Sequence, residues 1–179
     1  MRYYTIVAVF AALSACGGTT STDPAVQSMI NNNVALASPL LTTPIIATAP
    51  EGGVGDVSFG NLLNEVRVQN GAGTVSYDGR LDQAAQAHAE DMLANGYFDH
   101  VGLNGSTVGT RVQATGYQFA RVGENIARGY NSETSVMNGW VNSPTHHANN
   151  IDPAFEDFGL GYVRDGGQTR WVLVMGKEQ

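Results

Sequence analysis

Residues 158–175 read FGLGYVRDGGQTRWVLVM, and this stretch decides the fold class. Large apolar and small residues alternate over residues 158–162, a glycine-rich turn follows at 165–167, and residues 170–175 are rich in Trp and Val. Alternation with a period of two on both sides of such a turn is typical of a β-hairpin. The sequence therefore predicts two antiparallel strands in this part of the chain.

Apolar residues recur at helical spacing in the segments before the hairpin. The spacing predicts helices from about residue 59 to the glycine-rich stretch 70–73, from about residue 82 to residues 95–96, over 107–114 and over 133–142. Ser143-Pro144 is typical of an N-cap followed by proline at the first helical position, which predicts a short fifth helix. Helices followed by a hairpin indicate an α+β fold with helices packed on an antiparallel sheet. About 120 residues are enough for one core without disulfides.

The composition of the 179-residue chain excludes several classes of protein. Sixteen acidic and nine basic residues give a formal charge of −7, and no run of Lys or Arg forms a basic patch, so nucleic-acid binding is disfavoured. No apolar stretch reaches the ~20 residues that cross a bilayer, which excludes a polytopic membrane protein. The single cysteine, Cys16, excludes an intramolecular disulfide framework and a zinc site built from several cysteines.

The first residues have the features of an export signal. Arg2 precedes an apolar run over residues 3–13, and Ser14-Ala15 leads to Cys16, an order typical of a secretory signal peptide. The order also resembles the bacterial lipoprotein signal, in which the cysteine is acylated and becomes the new N-terminus. An ordinary signal peptide that contains a cysteine is the alternative. Because Gly17 resembles the outer-membrane sorting pattern, we expect an exported, membrane-anchored lipoprotein, in the outer membrane of a cell with two membranes, with a periplasmic or extracellular domain.

A change of composition separates this signal from the folded part. Residues 17–57 hold four of the six prolines and no Lys or Arg, which is typical of a flexible tether. We therefore expect a lipoprotein signal peptide over residues 1–15, lipidated Cys16 with a tether rich in Pro, Ser, Thr and Ala over 16–57, and one domain over 58–179. Residues 34–46 are more apolar than a pure linker, and the sequence leaves open whether they pack on the domain.

Four histidines and one carboxylate are the candidates for chemistry. His88 falls on the apolar face of the second predicted helix, which favours a hydrogen-bonded core histidine. His100 follows the end of that helix, where a side chain can enter a cleft, and Glu124 lies in a stretch with little charge before a short predicted strand. His146 and His147 are adjacent on a helix and hence about 100° apart, so they can hardly serve one site together. His146 lies in the first helical turn, where the helix dipole favours the neutral imidazole that a metal needs. The spacing alone does not indicate a metal, since no His-Glu-x-x-His, EF-hand or nucleotide-binding motif is present.

The order of several short motifs is more specific than any one of them. HAEDM at 88–92, GYFDH at 96–100, GENIA at 123–127 and WVNSPTHHAN at 140–149 follow one another, and GLGY comes after them at 159–162. Together they resemble the bacterial branch of the CAP superfamily, which comprises cysteine-rich secretory, antigen 5 and pathogenesis-related 1 proteins. The resemblance covers about residues 59–177. It implies a three-layer α-β-α sandwich with a central antiparallel sheet and a cleft.

The resemblance also implies which residues line that cleft. The first histidine of the family is similar to His100, its glutamate to Glu124 and its second histidine to His146, with Thr145 in place of a glycine. In some members the histidines hold zinc, so zinc is a possible ligand here, although no cofactor is required. The second glutamate of the family usually follows a tryptophan by three positions, and Ser143 stands at that place, so the carboxylate pair is missing. The residues expected to support the cleft are Asn125, Trp140 and Ser143.

Three functions are compatible with these observations. The favoured one is a binding module, held on the envelope by a lipid on Cys16, whose cleft engages a lipid, a glycan or an envelope protein. The alternative is a metal-dependent hydrolase or peptidase, in which His100 and His146 hold the metal and Glu124 is a third ligand or the general base. The third is a structural envelope protein in which the same groups form a hydrogen-bonded cluster that secures the fold.

Overall fold

The computed structural model describes residues 57–179, so the predictions for the signal peptide, Cys16 and the tether lie outside the described residues. The helices are α1 (Val57–Gln69), α2 (Gly79–Ala94), α3 (Val108–Ala114), α4 (Glu133–Val141) and α5 (Pro144–Asn150). The strands are β1 (Ser76–Tyr77), β2 (Phe119–Arg128), β3 (Asp157–Asp165) and β4 (Gln168–Glu178).

The four strands form one sheet in the order β1-β3-β4-β2. β4 lies between β3 and β2 and is antiparallel to both, and β3 and β4 form the hairpin that the sequence predicts, with Asp165 opposite Gln168. The two turn glycines, Gly166 and Gly167, have φ values of 52° and 87°, which glycine adopts without strain. The three long strands form the central antiparallel sheet that was expected, and the short strand β1 adds a parallel pair with β3 at one edge. A two-residue strand gives too short a pattern to be recognised in a sequence.

Helices cover both faces of the sheet, which confirms the three-layer sandwich. The side chains of β4 alternate between two hydrophobic clusters: Trp171, Leu173 and Met175 face one, and Val172 and Val174 face the other. The first cluster contains residues of α1 and α4, and the second contains residues of α2 and α3. Alternate residues of this strand therefore face two different hydrophobic cores, one on each side of the sheet.

Hydrogen bonds to N-cap side chains determine where two of the helices begin. α2 begins at Gly79 rather than near residue 82, because the Asp78 side chain accepts hydrogen bonds from the backbone N–H groups of Arg80 and Leu81. α3 begins where the sequence predicts, after Thr107, which forms a reciprocal pair of hydrogen bonds with Thr110. This second start fixes α3 beside the region described below.

The glycines of the GLGY motif allow α2 to lie directly against β3. A Cβ on Gly159 would stand 2.0 Å from the backbone nitrogen of Asp82, and a Cβ on Gly161 would stand 2.3 Å from the carbonyl carbon of Ala85. No side chain fits at either position without moving the helix. The motif is therefore a packing feature that positions α2 and the loop that follows it.

Candidate functional site

The centre of the site is the carboxylate of Glu124, which β2 places in the interior with 2% of its side chain exposed. Its Oε1 accepts a hydrogen bond from Nδ1 of His100 at 2.7 Å, and its Oε2 accepts one from Nη2 of Arg111 at 2.6 Å. A buried carboxylate needs such partners because its desolvation is costly. Both oxygens of Glu124 are thus used within the protein.

Arg111 holds the other components of this arrangement together. It projects from α3, and its Nη1 donates to the carbonyl oxygens of His100 and Ser106, each at 3.1 Å. The guanidinium therefore joins Glu124 to the loop that carries His100. Arg111 is not among the residues predicted from the sequence, although it is the one Lys or Arg between Arg80 and Arg121, which is a usable signal in a stretch with little charge.

His100 combines a fixed orientation with access to solvent. It lies in the loop after α2, and 55% of its side chain is exposed. The hydrogen bond to Glu124 raises the pKa of His100 above its ordinary value. Because Nδ1 donates to Glu124, the ring presents Nε2 as its second polar atom.

His146 lies in the first turn of α5 and is half-buried. A hydrogen bond of 2.8 Å joins its Nδ1 to the hydroxyl of Ser143, the N-cap residue, whose side chain makes no hydrogen bond to the helix backbone. Burial lowers the pKa of His146, and the charge of His100 lowers it further. Ser143 therefore orients this histidine.

Asn125 fixes α5 against β2. The Asn125 side chain is buried, and its Nδ2 donates to the carbonyl of His146 at 3.0 Å and to Oδ1 of Asn150 at 2.8 Å. In return, Nδ2 of Asn149 donates to Oδ1 of Asn125 at 3.0 Å. Trp140 is also buried, and its Nε1 donates to the carbonyl of Ile126 at 3.4 Å. These residues hold β2 and α5 together around the site.

The prediction of His88 as a core histidine is confirmed. Its side chain is buried in α2, and its Nε2 donates to the carbonyl of Asp99 at 2.9 Å. Burial lowers the pKa of His88. His88 therefore supports the loop next to His100.

Two pockets flank this arrangement. One of about 270 Å³ lies at the end of β2, and residues on its wall include Phe98, Arg128, Tyr130, Ser143 and His146. A second, of about 370 Å³, is lined by His88, Asp91, Ser106 and Arg111, among others. The first has His146 on its wall but neither His100 nor Glu124, so it adjoins the cleft of these three residues on the His146 side.

The described residues offer fewer ligands to a metal ion than the sequence predicts. Within residues 57–179, no group of three His, Cys, Asp or Glu side chains is arranged to hold a metal ion. The imidazole nitrogens that remain for a metal are Nε2 of His100 and Nε2 of His146, because Nδ1 of each ring is in a hydrogen bond. A carboxylate that orients a histidine is a frequent neighbour of metal-binding imidazoles.

Comparison with known proteins identifies the family of this domain. A family model described as the cysteine-rich secretory protein family, CAP, matches residues 61–175. The uncharacterized protein YkwD of Bacillus subtilis is 32% identical over 105 residues, which are 59% of this chain and 41% of that protein. The uncharacterized membrane protein YlbC of the same species is 31% identical over 104 residues, 58% of this chain and 30% of that protein. The chain thus spans less than half the length of these two relatives.

Solved structures have the same fold. An extracellular protein containing an SCP domain from Bacillus anthracis is 28% identical, with a TM-score of 0.63 over 67% of this chain and 39% of that chain. An outer surface protein from Borrelia burgdorferi is 23% identical, with a TM-score of 0.62 over 66% and 89% of the two chains. These neighbours are extracellular or surface proteins, and among residues 57–179 no helix is long and apolar enough to cross a membrane. By its motifs, its fold and the match over residues 61–175, the chain belongs to the cysteine-rich secretory protein (CAP) family.

Proposed function

We propose that this protein is an envelope-anchored binding module whose CAP domain engages a polar ligand or partner through the cleft of His100, Glu124 and His146. The observation that carries the proposal is the closed set of hydrogen bonds from Arg111 to Glu124 and from His100 to Glu124. A site whose charged groups are already paired and oriented is suited to recognition, because a ligand need not reorganise it.

The same observation favours binding over hydrolysis. A general base must have an oxygen within hydrogen-bonding reach of a substrate or water, and a metal ligand must offer a lone pair. Both oxygens of Glu124 accept hydrogen bonds from protein groups, and Ser143 stands where a second carboxylate would be needed. The hydrolase alternative therefore requires a substrate or water to reach a carboxylate that is 2% exposed and already oriented by two protein groups.

The ligand that fits the pocket beside His146 is small, and it reaches the cleft of His100, Glu124 and His146 with a polar group. The pocket beside His146 has a volume of about 270 Å³, slightly below the ~300–1,000 Å³ of most small-molecule sites. Aromatic rings from Phe98, Tyr130 and Trp140 lie on its walls. We therefore propose a lipid headgroup, a sugar or a side chain of an envelope protein as the contacting group.

Zinc is part of this proposal as an occasional occupant. His100 and His146 would hold it through imidazole nitrogens, with Glu124 orienting His100. Since catalytic zinc sites usually have three protein ligands, we expect a weakly held ion. When bound, zinc supplies a positive centre that attracts an oxygen of the ligand.

The test uses the full chain with Cys16→Ser, because this variant cannot be acylated at residue 16 and any shift in Tm then reports on ligand binding. Thermal unfolding is followed in the presence of envelope lipids and glycans, with and without zinc, and the zinc content is measured by elemental mass spectrometry. We expect at least one ligand to raise Tm, and both this shift and zinc uptake to be lost in His100→Ala and in His146→Ala.

A matched control is Glu156→Gln, which changes an exposed glutamate paired with Lys177 and should leave both readouts unchanged. The proposal fails if no ligand changes Tm, or if the shift persists in both histidine variants. Hydrolysis of an envelope substrate that depends on bound zinc and on Glu124 would favour the alternative.

The anchor belongs to the same proposal. We infer that Cys16 carries the lipid and that the residues between Cys16 and α1 hold the domain at a distance from the membrane surface. A flexible chain of about 40 residues has an average span of about 35 Å. This length would give the cleft access to ligands that belong to the same envelope.

A further inference from the structure

Two arginines face each other where the pocket beside His146 begins. Arg128 of β2 is directly opposite Arg170 of β4 in the antiparallel register. Side chains of directly opposed residues lie on the same face of a sheet, with Cβ atoms about 4.5–5.5 Å apart, and like charges in such a pair repel. The strands thus bring together two positive charges that weaken the sheet unless something compensates them.

Both guanidinium groups lie against one aromatic ring. The Cζ of Arg128 is 5.0 Å and the Cζ of Arg170 is 6.0 Å from the centroid of the Phe98 ring. Phe98 and Arg128 also line the 270 Å³ pocket. The ring therefore holds both cations next to the cleft.

No acidic side chain neutralises this pair within the described part of the chain. Four other basic residues, Arg80, Arg111, Arg121 and Lys177, each have a carboxylate oxygen within 4.0 Å, whereas Arg128 and Arg170 form no such ion pair among residues 57–179. Arg67 and Arg164 also form no such ion pair among these residues, but Arg67 donates to four backbone carbonyls and Arg164 is exposed. Arg128 and Arg170 differ from them because they lie directly opposite each other.

Arg170 also has an unused hydrogen-bond donor. The residue is 6% exposed, its Nη1 donates to the carbonyl of Thr169 at 3.0 Å, and its Nε is buried without a hydrogen-bond partner in residues 57–179. A buried N–H of a charged group normally has an acceptor, because leaving it without one is costly. An oxyanion would supply that acceptor and would compensate both charges.

From this arrangement we infer that Arg128, Arg170 and Phe98 form a site for a phosphate-bearing ligand, whose small polar body enters the pocket beside His146; the inference rests on the proposed binding function. Two guanidinium groups favour phosphate over carboxylate, since phosphate offers three or more oxygens and up to two charges, whereas one arginine already satisfies a carboxylate. The pocket volume suits a group the size of glycerol phosphate rather than an acyl chain.

The experiment measures binding to the full chain carrying Cys16→Ser by isothermal titration calorimetry. The probes are glycerol 3-phosphate, inorganic phosphate and acetate, and a co-sedimentation arm uses vesicles of phosphatidylglycerol or of phosphatidylcholine. We expect the two phosphate compounds to bind more tightly than acetate, with an affinity that falls as salt increases. Sedimentation with phosphatidylglycerol vesicles but not with phosphatidylcholine vesicles would identify a lipid headgroup as the source. Binding of the free phosphate compounds with no sedimentation by either kind of vesicle would identify a soluble phosphate.

Variants separate this site from general charge effects. Arg128 is exposed, so Arg128→Gln should fold and weaken glycerol phosphate binding by about tenfold or more. Arg164→Gln removes an exposed arginine from the same hairpin on the opposite face and should change the affinity by less than about twofold. Absence of phosphate binding, equal binding of acetate, or equal losses in the two arginine variants would overturn the inference.

The histidine variants keep this test distinct from the proposed function. Phosphate binding that depends on Arg128 but is unchanged in His100→Ala and His146→Ala supports the anion site and contradicts the histidine cleft. A ligand that requires both histidines and is unaffected by Arg128→Gln supports the cleft and contradicts the anion site.

Discussion

At the scale of single residues, the cleft is built around the problem of burying a carboxylate. Glu124 is nearly inaccessible, and Arg111 provides the opposite charge that makes its burial acceptable. A pair of this kind is a weak source of net stability, but removing one partner is strongly destabilising. Arg111 hydrogen-bonds to Glu124 and to the backbone carbonyl of His100 rather than to the His100 ring. The orientation of that ring nevertheless depends on Arg111, because Arg111 holds the carboxylate to which the ring donates.

The site residues differ in how far a sequence can reveal them. His100, Glu124, Asn125 and His146 lie within recognisable motifs, and the structure brings them together. Arg111 belongs to none of those motifs, and its role depends on the docking of α3 against β2. A contact between residues 13 positions apart on different elements has no local pattern.

The first prediction concerns the protonation of the histidines. The pKa of His100 is raised by Glu124, so its contribution to stability is complete below the pKa of an unfolded histidine, about 6.5, and is lost as the pH rises through the folded value. The pKa values of His88 and His146 are lowered by burial, so their contribution is complete above about pH 6.5 and is lost as the pH falls through the folded values.

Titration of the imidazole Cε1–H resonances by NMR, with chelator present, checks this order. We expect His100 to have a higher midpoint than His88 and His146, and Glu124→Gln to lower the midpoint of His100. Glu156→Gln should not change it. A midpoint for His100 at or below that of His146 would contradict the hydrogen bond to Glu124 as the dominant influence.

At the scale of secondary-structure elements, the long, strongly patterned segments are the predictable ones. The hairpin, α3, α4 and α5 lie where the sequence places them. β2 is ten residues long, more than the short strand expected, because it pairs along nearly the whole of β4. Its residues 119–123 are exposed or half-buried and its residues 124–127 are all buried, so β2 lacks the alternating pattern from which its length could be predicted.

The second prediction concerns the contact between α2 and β3. Gly161→Ala forces a Cβ into the backbone of α2 at Ala85, so we expect the free energy of unfolding to fall by at least about 2 kcal/mol. Urea unfolding of the full chain measures this change.

Gly73→Ala is the matched control, because nothing lies within 4 Å of its added Cβ and its φ is not positive. Its stability should stay within about 1 kcal/mol of the parent, on the stabilising side. Equal stability of Gly161→Ala and Gly73→Ala would show that α2 can move away from the sheet at little cost.

At the scale of the whole molecule, the net negative charge and the proposed lipid anchor have opposite effects on attachment to a membrane. The formal charge of −7 disfavours general attraction to anionic membrane surfaces, so attachment should depend on the lipid at Cys16. Each buried methylene of an acyl chain contributes about 0.8 kcal/mol, and more than one chain is needed for stable anchoring.

The third prediction follows from this division. In a bacterial host that processes lipoproteins, we expect the full chain to sediment with membranes and Cys16→Ser to move to the soluble fraction. Mass spectrometry of the N-terminal peptide should show acylated Cys16 in the parent. Ser21→Ala, a small change in the tether, should leave fractionation unaltered. Recovery of the parent in the soluble fraction with a free thiol at Cys16 would support an ordinary signal peptide instead.

The position of β4 at the middle of the sheet has a consequence for the order in which the domain acquires its structure. β4 is the last element in sequence, yet it joins β2 to β3 and supplies side chains to both hydrophobic clusters. A nascent chain that ends before Gln168 has helices without a core to pack on, so we expect folding to take place in one late, cooperative step. During synthesis and export, nearly the whole domain would then remain unfolded and exposed to chaperones and proteases until β4 has emerged.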